Sequence, residues 1–283
     1  MSTTVSQIRR WHIVATGAIT VLGVISSLVG LLSPGHYRAP PGLVEAYQIQ
    51  DLTILVIGIP VLAAGLWFAL RGSQRGRLGW LGGLAFMTYM WASIGIQVPF
   101  NSLFLLYVAL FGLSLFTFVG GMVTTDAAAI RDALEGRLNT SLYSGALVVI
   151  GLGLAALWLS DIVPPLLAGT TPLLVEEAGP QAMASHVIDL GVVVPSILLA
   201  AAWLFQRRAW GYVFAGVVLV LGATLAAPIG LMTLSLVFGD TVTVSPVAAF
   251  FSFLPIVVSA VLAVQYLRSM GPRPRPSTDG APQ

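Results

Sequence analysis

The sequence contains no cysteine and no lysine, and it carries little charge of either sign. Without cysteine, disulfides and thiolate-based metal or redox sites are excluded. Without lysine, a retinal Schiff base and a Walker-type phosphate loop are excluded as well. Charged residues make up 8% of the 283 residues, whereas an average soluble domain has roughly 25%. The chain is therefore not expected to fold as a soluble domain.

Catalytic and metal-binding motifs are also missing. Neither an H-E-x-x-H metalloprotease motif nor a G-x-S-x-G nucleophile elbow is present. The three histidines, His12, His36 and His186, lie near the ends of apolar runs, which argues against a haem held by a histidine pair within the membrane. We therefore expect no enzymatic activity, no cofactor and no metal ion.

Hydrophobic residues make up 57% of the chain, and they are gathered in long runs. A helix rises about 1.5 Å per residue, so roughly 20 apolar residues cross a hydrocarbon core about 30 Å thick. The sequence predicts an all-α, polytopic transmembrane helical bundle of about eight spans. The predicted spans are residues 11–32, 52–70, 78–98, 103–123, 142–159, 187–205, 210–238 and 247–267.

These spans divide the chain into two halves. Residues 11–123 form a first four-span half, and residues 142–268 form a second. The stretch 124–141 between them is polar and predicts a short amphipathic connector helix. Residues 1–10 precede the first span, and the tail 269–283, rich in proline, glycine and serine, is expected to be disordered.

The arginine residues are unevenly distributed between the two sides of the predicted bundle. With eight spans, twelve of the thirteen arginines fall on the side that holds both chain ends, and only Arg38 falls on the other side. Cytoplasmic loops of multi-pass proteins carry an excess of basic residues. The sequence therefore predicts a multi-pass protein of the plasma (cytoplasmic) membrane, with its N-terminus and C-terminus in the cytoplasm.

Two parts of the sequence follow the same order of features. Each has a Pro-Pro pair and an acidic loop, followed by an Asp-Leu pair and an apolar span with an internal proline, a tryptophan and an arginine. The corresponding residues are Asp51 and Asp189, Pro60 and Pro195, Trp67 and Trp203, and Arg71 and Arg207. The prolines align only with a three-residue gap, and the alternative is that any polytopic protein alternates apolar runs with Pro/Gly loops. A true duplication would give two parallel four-helix repeats related by an axis along the membrane normal.

Polar residues gather at the arginine-poor ends of the predicted spans. Gln48 and Asp51, like His186 and Asp189, are three residues apart, so each pair would lie on one face of a helix. One interpretation is structural, because the helix dipole favours an acid in the first turn, where it can cap the helix. The other interpretation is a polar vestibule that binds a solute. The candidate substrate-binding residues are Glu45, Gln48, Asp51, Gln97, Asn101, Glu176, His186 and Asp189.

No carboxylate lies near the middle of a predicted span. This argues against the coupling of transport to protons or ions through buried acids. Several carboxylates and one histidine at the arginine-poor side could bind a divalent cation, but no ligand motif fixes their number. We therefore expect a solute site rather than a metal site.

Several of these segments together are similar to a known group of proteins. They are Gln50-Asp51-Leu52 with Pro60, Phe100-Asn101-x-Leu103-Phe104-Leu105-x-Tyr107, and Asp189-Leu190 with Pro195 and Trp210-Gly211-Tyr212. Through these patterns, spans two to seven resemble a family of uncharacterised prokaryotic multi-spanning membrane proteins that carries no functional name. The resemblance implies the same topology and no particular activity.

The acids, the span prolines and the repeated order of features favour transport or permeation of a small neutral or weakly charged solute. The alternative is a non-catalytic membrane subunit or sensor that acts through protein partners, since the polar residues inside the spans are mild. An enzyme acting on lipid comes third, because no motif supports it. The expected partners are the lipid bilayer and a small-molecule solute, but no nucleic acid. Whether the chain binds another protein or forms a homo-oligomer stays open.

Overall fold

The computed structural model describes residues 8–39, 41–238 and 246–271, with residues 41–42, 173, 177–178, 229, 232–238 and 246–256 described by their backbone alone. The chain is 84% helical, and no strand is present in these ranges. The predicted all-α class is confirmed. Most of the predicted N-terminal segment and most of the predicted tail lie outside the described residues.

The helices follow the apolar runs of the sequence. The long helices are α1 (Arg10–Leu32), α4 (Gln74–Gln97), α5 (Phe104–Val123), α7 (Thr140–Ala168), α11 (Ala209–Phe238) and α12 (Pro246–Ser269). The shorter helices are α2 (Pro41–Thr53), α3 (Ile59–Leu70), α6 (Ala127–Leu134), α8 (Leu173–Ala178), α9 (Ala184–Ile188) and α10 (Val194–Phe205). Helix α6 occupies the predicted connector, and the Asp126 side chain caps it by accepting a hydrogen bond of 3.0 Å from the Ala129 amide.

Six helical segments in the described part of the chain are long and apolar enough to cross a membrane, so the chain is a multi-pass membrane protein. They are Arg10–Leu32, Leu43–Leu70, Phe104–Val123, Thr140–Ala168, Pro180–Phe205 and Ala209–Pro228. The predicted spans 78–98 and 247–267 are also helical, within α4 and α12, but they are not among the six.

Helix α4 forms the centre of the bundle. It packs against α3, α5 and α11, and its residues Trp80, Leu84 and Phe86 are completely buried. Gly65 of α3 permits close approach, because a methyl group there would overlap the backbone of Trp80. A helix that is surrounded by protein does not need the apolar surface of a lipid-facing helix, which accounts for the lower hydropathy of α4.

Two helical segments contain a π turn immediately before a proline. Ile54–Gly58 joins α2 to α3, and Asp189–Val193 joins α9 to α10. Pro60 and Pro195 then occupy the first turn of the following α-helix. Proline has no amide hydrogen, and its ring clashes with the carbonyl four residues back. The wider π turn separates the ring from that carbonyl, and such turns are frequent at functional sites.

Arg77 lies buried near the start of α4 and closes the last turn of α5. Its Nε donates to Thr125 Oγ1 at 3.0 Å, and its Nη2 donates to Thr124 Oγ1 at 2.7 Å and to the Gly121 carbonyl at 2.9 Å. The guanidinium also lies over the Trp80 ring, 5.2 Å from its centroid. The C-terminal end of a helix has free carbonyls and a partial negative charge, so a cation is favourable there.

The residues that follow α12 are hydrogen-bonded at the same end of the bundle as Arg77. Arg75 donates a hydrogen bond of 2.5 Å to the Met270 carbonyl. The Gly271 amide donates one of 2.9 Å to the Ala133 carbonyl in α6. We call these two hydrogen bonds the Met270–Gly271 tie. It joins the end of α12 to α4 and to the connector.

Three predicted boundaries are wrong, and all three bear on the site. The second predicted span begins at residue 52, whereas α2 begins at Pro41, so Asp51 lies well inside a helix. Asp189 likewise follows α9 in a continuous helical segment. The capping interpretation of these acids is therefore wrong. The Pro164-Pro165 pair, predicted in a loop, lies inside α7, which ends at Gly169 with a φ of 68°.

Candidate functional site

The carboxylate of Asp51 is the centre of a buried polar network. Asp51 is 1% exposed, and the Tyr37 hydroxyl donates a hydrogen bond of 2.5 Å to its Oδ2. The Tyr37 hydroxyl also interacts with the Tyr107 hydroxyl. The Tyr107 oxygen lies 3.0 Å from His36 Nε2 and accepts a hydrogen bond of 3.2 Å from the Asn101 amide. We call these five residues the Asp51 network.

Three parts of the chain meet in this network: the loop after α1, helix α2, and the turn into α5. Gly30 of α1 makes the arrangement possible, because a methyl group there would overlap the Asp51 carboxylate and the Tyr37 hydroxyl. Asn101 is held by a local turn in which its Oδ1 accepts a hydrogen bond of 2.9 Å from the Leu103 amide. The network is therefore positioned by backbone geometry as well as by side-chain contacts.

A pocket of about 220 Å³ lies beside the Asp51 network, at the end of the bundle opposite Arg77. We call this end the arginine-poor end. The pocket is enclosed by the end of α1, the loop that follows it and α2, and its lining includes Gly30, Ser33, His36, Tyr37, Val44 and Gln48. His36 and Tyr37 thus belong to both the pocket and the network.

His36 and Tyr37 lie in the loop between two spans, where burial changes their protonation. Burial lowers the pKa of the His36 imidazole below its usual value. Burial, and then the charge of Asp51 and the hydrogen bond to it, raise the pKa of the Tyr37 hydroxyl above its usual value. Both side chains are therefore neutral at pH 7, and the pocket presents hydrogen-bonding groups without formal charge.

A second polar cluster lies at the same end, between α4, α7 and the α9–α10 segment. Trp158 Nε1 donates a hydrogen bond of 2.8 Å to Asp189 Oδ2, and Tyr89 is also hydrogen-bonded to Asp189. His186 Nε2 lies 2.9 Å from Asp161 Oδ2, and the His186 and Trp158 ring centroids are 4.1 Å apart. Asp189 and His186 are buried. We call these five residues the His186 cluster.

Gln97, at the end of α4, connects the two polar centres. Its backbone carbonyl accepts a hydrogen bond of 3.0 Å from the Tyr47 hydroxyl, and the Tyr47 ring lies 5.2 Å from the Tyr37 ring. Its side-chain amide donates a hydrogen bond of 2.6 Å to the hydroxyl of Ser185, the neighbour of His186. Gln97 thus contacts Tyr47, which packs beside the Asp51 network, and Ser185, which is adjacent to the His186 cluster.

The structure separates the predicted vestibule into two centres. Six of the predicted residues take part: Asp51 and Asn101 in the Asp51 network, Gln48 in the pocket, His186 and Asp189 in the His186 cluster, and Gln97 between them. The other two predicted residues, Glu45 and Glu176, are exposed. The prediction places the aspartates at a wet interface, whereas both are buried.

Six members of these centres are not among the predicted residues: His36, Tyr37, Tyr89, Tyr107, Trp158 and Asp161. Nothing in the sequence relates Tyr37 to Tyr107, because their contact depends on how α1 and α5 pack. Trp158 and Asp161 do carry a signal, since a spacing of three residues places them on one helical face. A predicted span that stops at residue 159 hides that signal, because α7 continues to Ala168.

No protein-family model, curated protein or solved structure matches the chain. The resemblance to a family of prokaryotic multi-spanning proteins therefore stays a prediction. Within the described residues, no group of three or more histidine, aspartate or glutamate side chains could hold a metal ion. The function has to be inferred from the pocket and the two polar centres.

Proposed function

We propose that the protein transports a small neutral or weakly charged solute, or lets it permeate, across the membrane from the arginine-poor end. The observation that carries the proposal is the pocket at this end, which shares His36 and Tyr37 with the network around the buried Asp51. Ionisable side chains inside a membrane protein are costly, and they commonly mark a pathway or a binding site. A buried carboxylate beside a pocket fits that role.

The pocket limits the size of the solute. Its volume of about 220 Å³ corresponds to about seven water molecules at roughly 30 Å³ each. Pockets for drug-sized ligands are larger, at roughly 300–1,000 Å³. His36, Tyr37 and Gln48 offer hydrogen bonds, and Val44 offers an apolar surface. We infer a solute of few heavy atoms with at least one polar group.

The two π turns support a path beyond the pocket. Asp51 lies three residues before the turn Ile54–Gly58, and Asp189 is the first residue of the turn Asp189–Val193. Discontinuous helices line the binding sites of many transporters, and irregular turns there free backbone carbonyls. Each polar centre thus has an irregular helical turn next to it.

For the topology, we propose eight spans in two parallel four-span repeats, with both termini in the cytoplasm. Helices α4 and α12 supply the two spans beyond the six apolar segments. The repeat is supported by the two π turns, each followed by a 12-residue helix and then by a residue with positive φ, Gly72 at 79° and Arg207 at 54°. The arginine distribution supports this orientation, and we propose the plasma membrane as the location.

Because the native chain has no cysteine, single cysteines test the orientation directly. Ser33→Cys lies at the arginine-poor end, and Ser141→Cys lies at the start of α7, at the opposite end. A membrane-impermeant maleimide added to intact cells is expected to label Ser33→Cys alone. Labelling of Ser141→Cys alone would show that the orientation is the opposite of the proposed one. Labelling of both variants would contradict the eight-span topology.

The same thiol tests whether solute passes by the pocket. Ser33 is exposed and lines the pocket. The Ser33→Cys protein is reconstituted in liposomes, and the uptake of glycerol, urea and acetamide is measured before labelling with a bulky methanethiosulfonate, after labelling, and after reduction. We expect uptake of at least one solute, its loss on labelling and its recovery on reduction.

The matched control is Ser141→Cys, whose labelling is expected to leave uptake unchanged. Two results would contradict the proposal. One is uptake no faster than in protein-free liposomes for every solute. The other is uptake through Ser33→Cys that labelling does not alter.

A subunit or sensor that acts through a protein partner is the second candidate, and the exposure of α7 favours it. Only 11% of the apolar window of α7 is buried, and α7 packs mainly against α10. Its remaining surface can contact lipid or another protein. Purification in mild detergent separates the two functions: a stoichiometric partner that crosslinks to α7, together with no solute uptake, would favour the subunit.

A further inference from the structure

The buried carboxylate of Asp51 has no cation to balance a negative charge. Asp51 is 1% exposed, and none of the salt bridges among the described residues involves it. Its neighbours are the Tyr37 hydroxyl, Ser27 and the backbone at Gly30. An ionised carboxylate in an apolar interior is stable only when it is paired or well supplied with hydrogen-bond donors. The supply of donors at Asp51 therefore decides whether it holds a proton.

A chain of hydrogen bonds leads from the pocket to this carboxylate. His36 is partly exposed and lines the pocket. Its Nε2 lies 3.0 Å from the Tyr107 oxygen, the Tyr107 hydroxyl interacts with that of Tyr37, and Tyr37 donates to Asp51 at 2.5 Å. Groups in such a chain can pass a proton from one to the next without moving far.

We propose that Asp51 is a proton-binding site loaded through His36, Tyr107 and Tyr37, and that binding of a proton there is coupled to binding of solute in the pocket. This reverses the expectation from the sequence that no buried acid couples transport to protons, because the structure buries Asp51. The coupling to solute rests on the proposed function, whereas proton binding at Asp51 does not depend on it.

The transfer conserves every proton. A proton from external water binds His36 Nδ1, and His36 Nε2 gives its own proton to the Tyr107 oxygen. Tyr107 gives its hydroxyl proton to Tyr37, and Tyr37 gives its hydroxyl proton to Asp51 Oδ2. In the first step an O–H bond of the donating water breaks and the His36 Nδ1–H bond forms, and in each later step one N–H or O–H bond breaks and one O–H bond forms. His36 and both phenols end neutral, and Asp51 ends as a carboxylic acid.

Solute binding and proton binding are coupled through His36 and Tyr37, because both residues line the pocket and both belong to the chain of hydrogen bonds that leads to Asp51. A solute that accepts a hydrogen bond from the Tyr37 hydroxyl takes that donor away from Asp51. A buried carboxylate that loses its donor becomes more costly as an anion and binds a proton instead. By linkage, a proton on Asp51 frees Tyr37 to bind the solute. Solute binding is thus accompanied by proton uptake.

Within the described residues, no titratable group outside the network is hydrogen-bonded to or ion-paired with Asp51. Tyr47 is the nearest further phenol, and its hydroxyl is bonded to the Gln97 carbonyl. On α4, Tyr89 is bonded to Asp189 and Arg77 lies at the opposite end. On α11, Tyr212 also lies at that end, where its carbonyl accepts a hydrogen bond from Tyr266. Among the described residues, the titration of Asp51 is therefore governed by its own network.

Infrared difference spectra of the purified protein between acid and alkaline pH test proton binding without any solute. We expect a carbonyl band of a protonated carboxylic acid that is lost in Asp51→Asn and shifted in Tyr37→Phe, which keeps the ring but removes the donor. Asp132→Asn, the same change at an exposed acid of α6, is the control and should leave the band unaltered. A band that survives unchanged in both Asp51→Asn and Tyr37→Phe would overturn the proposal.

Liposome uptake at several external pH values then tests the coupling. For a solute that the native protein takes up, we expect uptake to rise as the external pH falls, and this dependence to be lost in Asp51→Asn. Uptake that keeps its pH dependence in Asp51→Asn would overturn the coupling. If the Asp51 band is present but no solute enters, the transport function fails while proton binding at Asp51 stands.

Discussion

Asp51 and His186 occupy equivalent positions in two helical segments of similar construction. Each lies three residues before a π turn and nine residues before the proline that follows that turn. Superposing the π turns in this way needs no gap, whereas pairing Asp51 with Asp189 needs one of three residues. The two polar centres then differ in chemistry at the same position, with a carboxyl beside a phenol in one and an imidazole beside Asp161 in the other.

Gly30→Ala is expected to destabilise the protein and to displace Asp51. Its methyl group would overlap the Asp51 carboxylate and the Tyr37 hydroxyl, and overpacking of this kind costs about 1–3 kcal/mol. Gly17→Ala, on the same helix with no atom near its added methyl group, is the control and should be neutral or slightly stabilising. Thermal unfolding in detergent measures both. Equal melting temperatures would show that Asp51 does not lie against Gly30.

Asp161→Asn is expected to lower stability by about 1–3 kcal/mol, because it weakens the hydrogen bond that a buried histidine makes. The His186 side chain is 2% exposed and Asp161 is its hydrogen-bond partner at 2.9 Å. Asp132→Asn breaks the exposed contact with Arg131, and such surface pairs contribute about 0–1 kcal/mol. Thermal unfolding compares the two variants. A larger loss in Asp132→Asn would contradict this assignment.

Arg77→Met is expected to cost about 3 kcal/mol, because hydrogen bonds from a charged donor to the end of α5 are lost. The groups affected are Thr124, Thr125 and the Gly121 carbonyl. Arg10→Met removes an exposed arginine at the start of α1 and should have little effect. The measurement is the fraction of protein that remains folded after heating in detergent. Arg77→Lys should rescue only part of the loss, since an ammonium lacks the planar fork of donors.

The contribution of the neutral His36 side chain to stability is expected to be lost at acid pH. Burial lowers the pKa of His36 in the folded state below its ordinary value of 6.5, so the unfolded chain binds a proton more readily. The contribution of the neutral imidazole is therefore present above that value and is lost as the pH falls through it. Melting temperatures of the native protein and of His36→Gln, measured from neutral to acid pH, should converge. A constant difference would contradict this.

The helical class and most helix ends follow from the sequence, because a membrane span must be long, apolar and free of central charge. The predicted ends at Leu32, Leu70, Val123 and Phe205 coincide with those of the structure. The starts of α2 and α9 do not, because the apolar pattern begins later than the helix. The apolar pattern of the sequence marks where contact with lipid begins. A helix extends beyond that point for as long as its backbone hydrogen bonds continue.

The candidate site is less predictable, because side chains far apart in the sequence build it. Asp51 and His186 can be found as polar residues next to apolar runs. Tyr37, the partner of Asp51, cannot, since its approach to Asp51 depends on the missing side chain of Gly30. A glycine near the end of a span has several ordinary roles, and the sequence does not distinguish between them.

The Met270–Gly271 tie holds one end of the bundle together. It joins Arg75 of α4 and Ala133 of α6 to the residues that follow α12. At the opposite end, the bond between Gln97 and Ser185 is a contact between neutral side chains. We therefore expect any opening of the bundle to occur at the face where His36 lies rather than at the tied end.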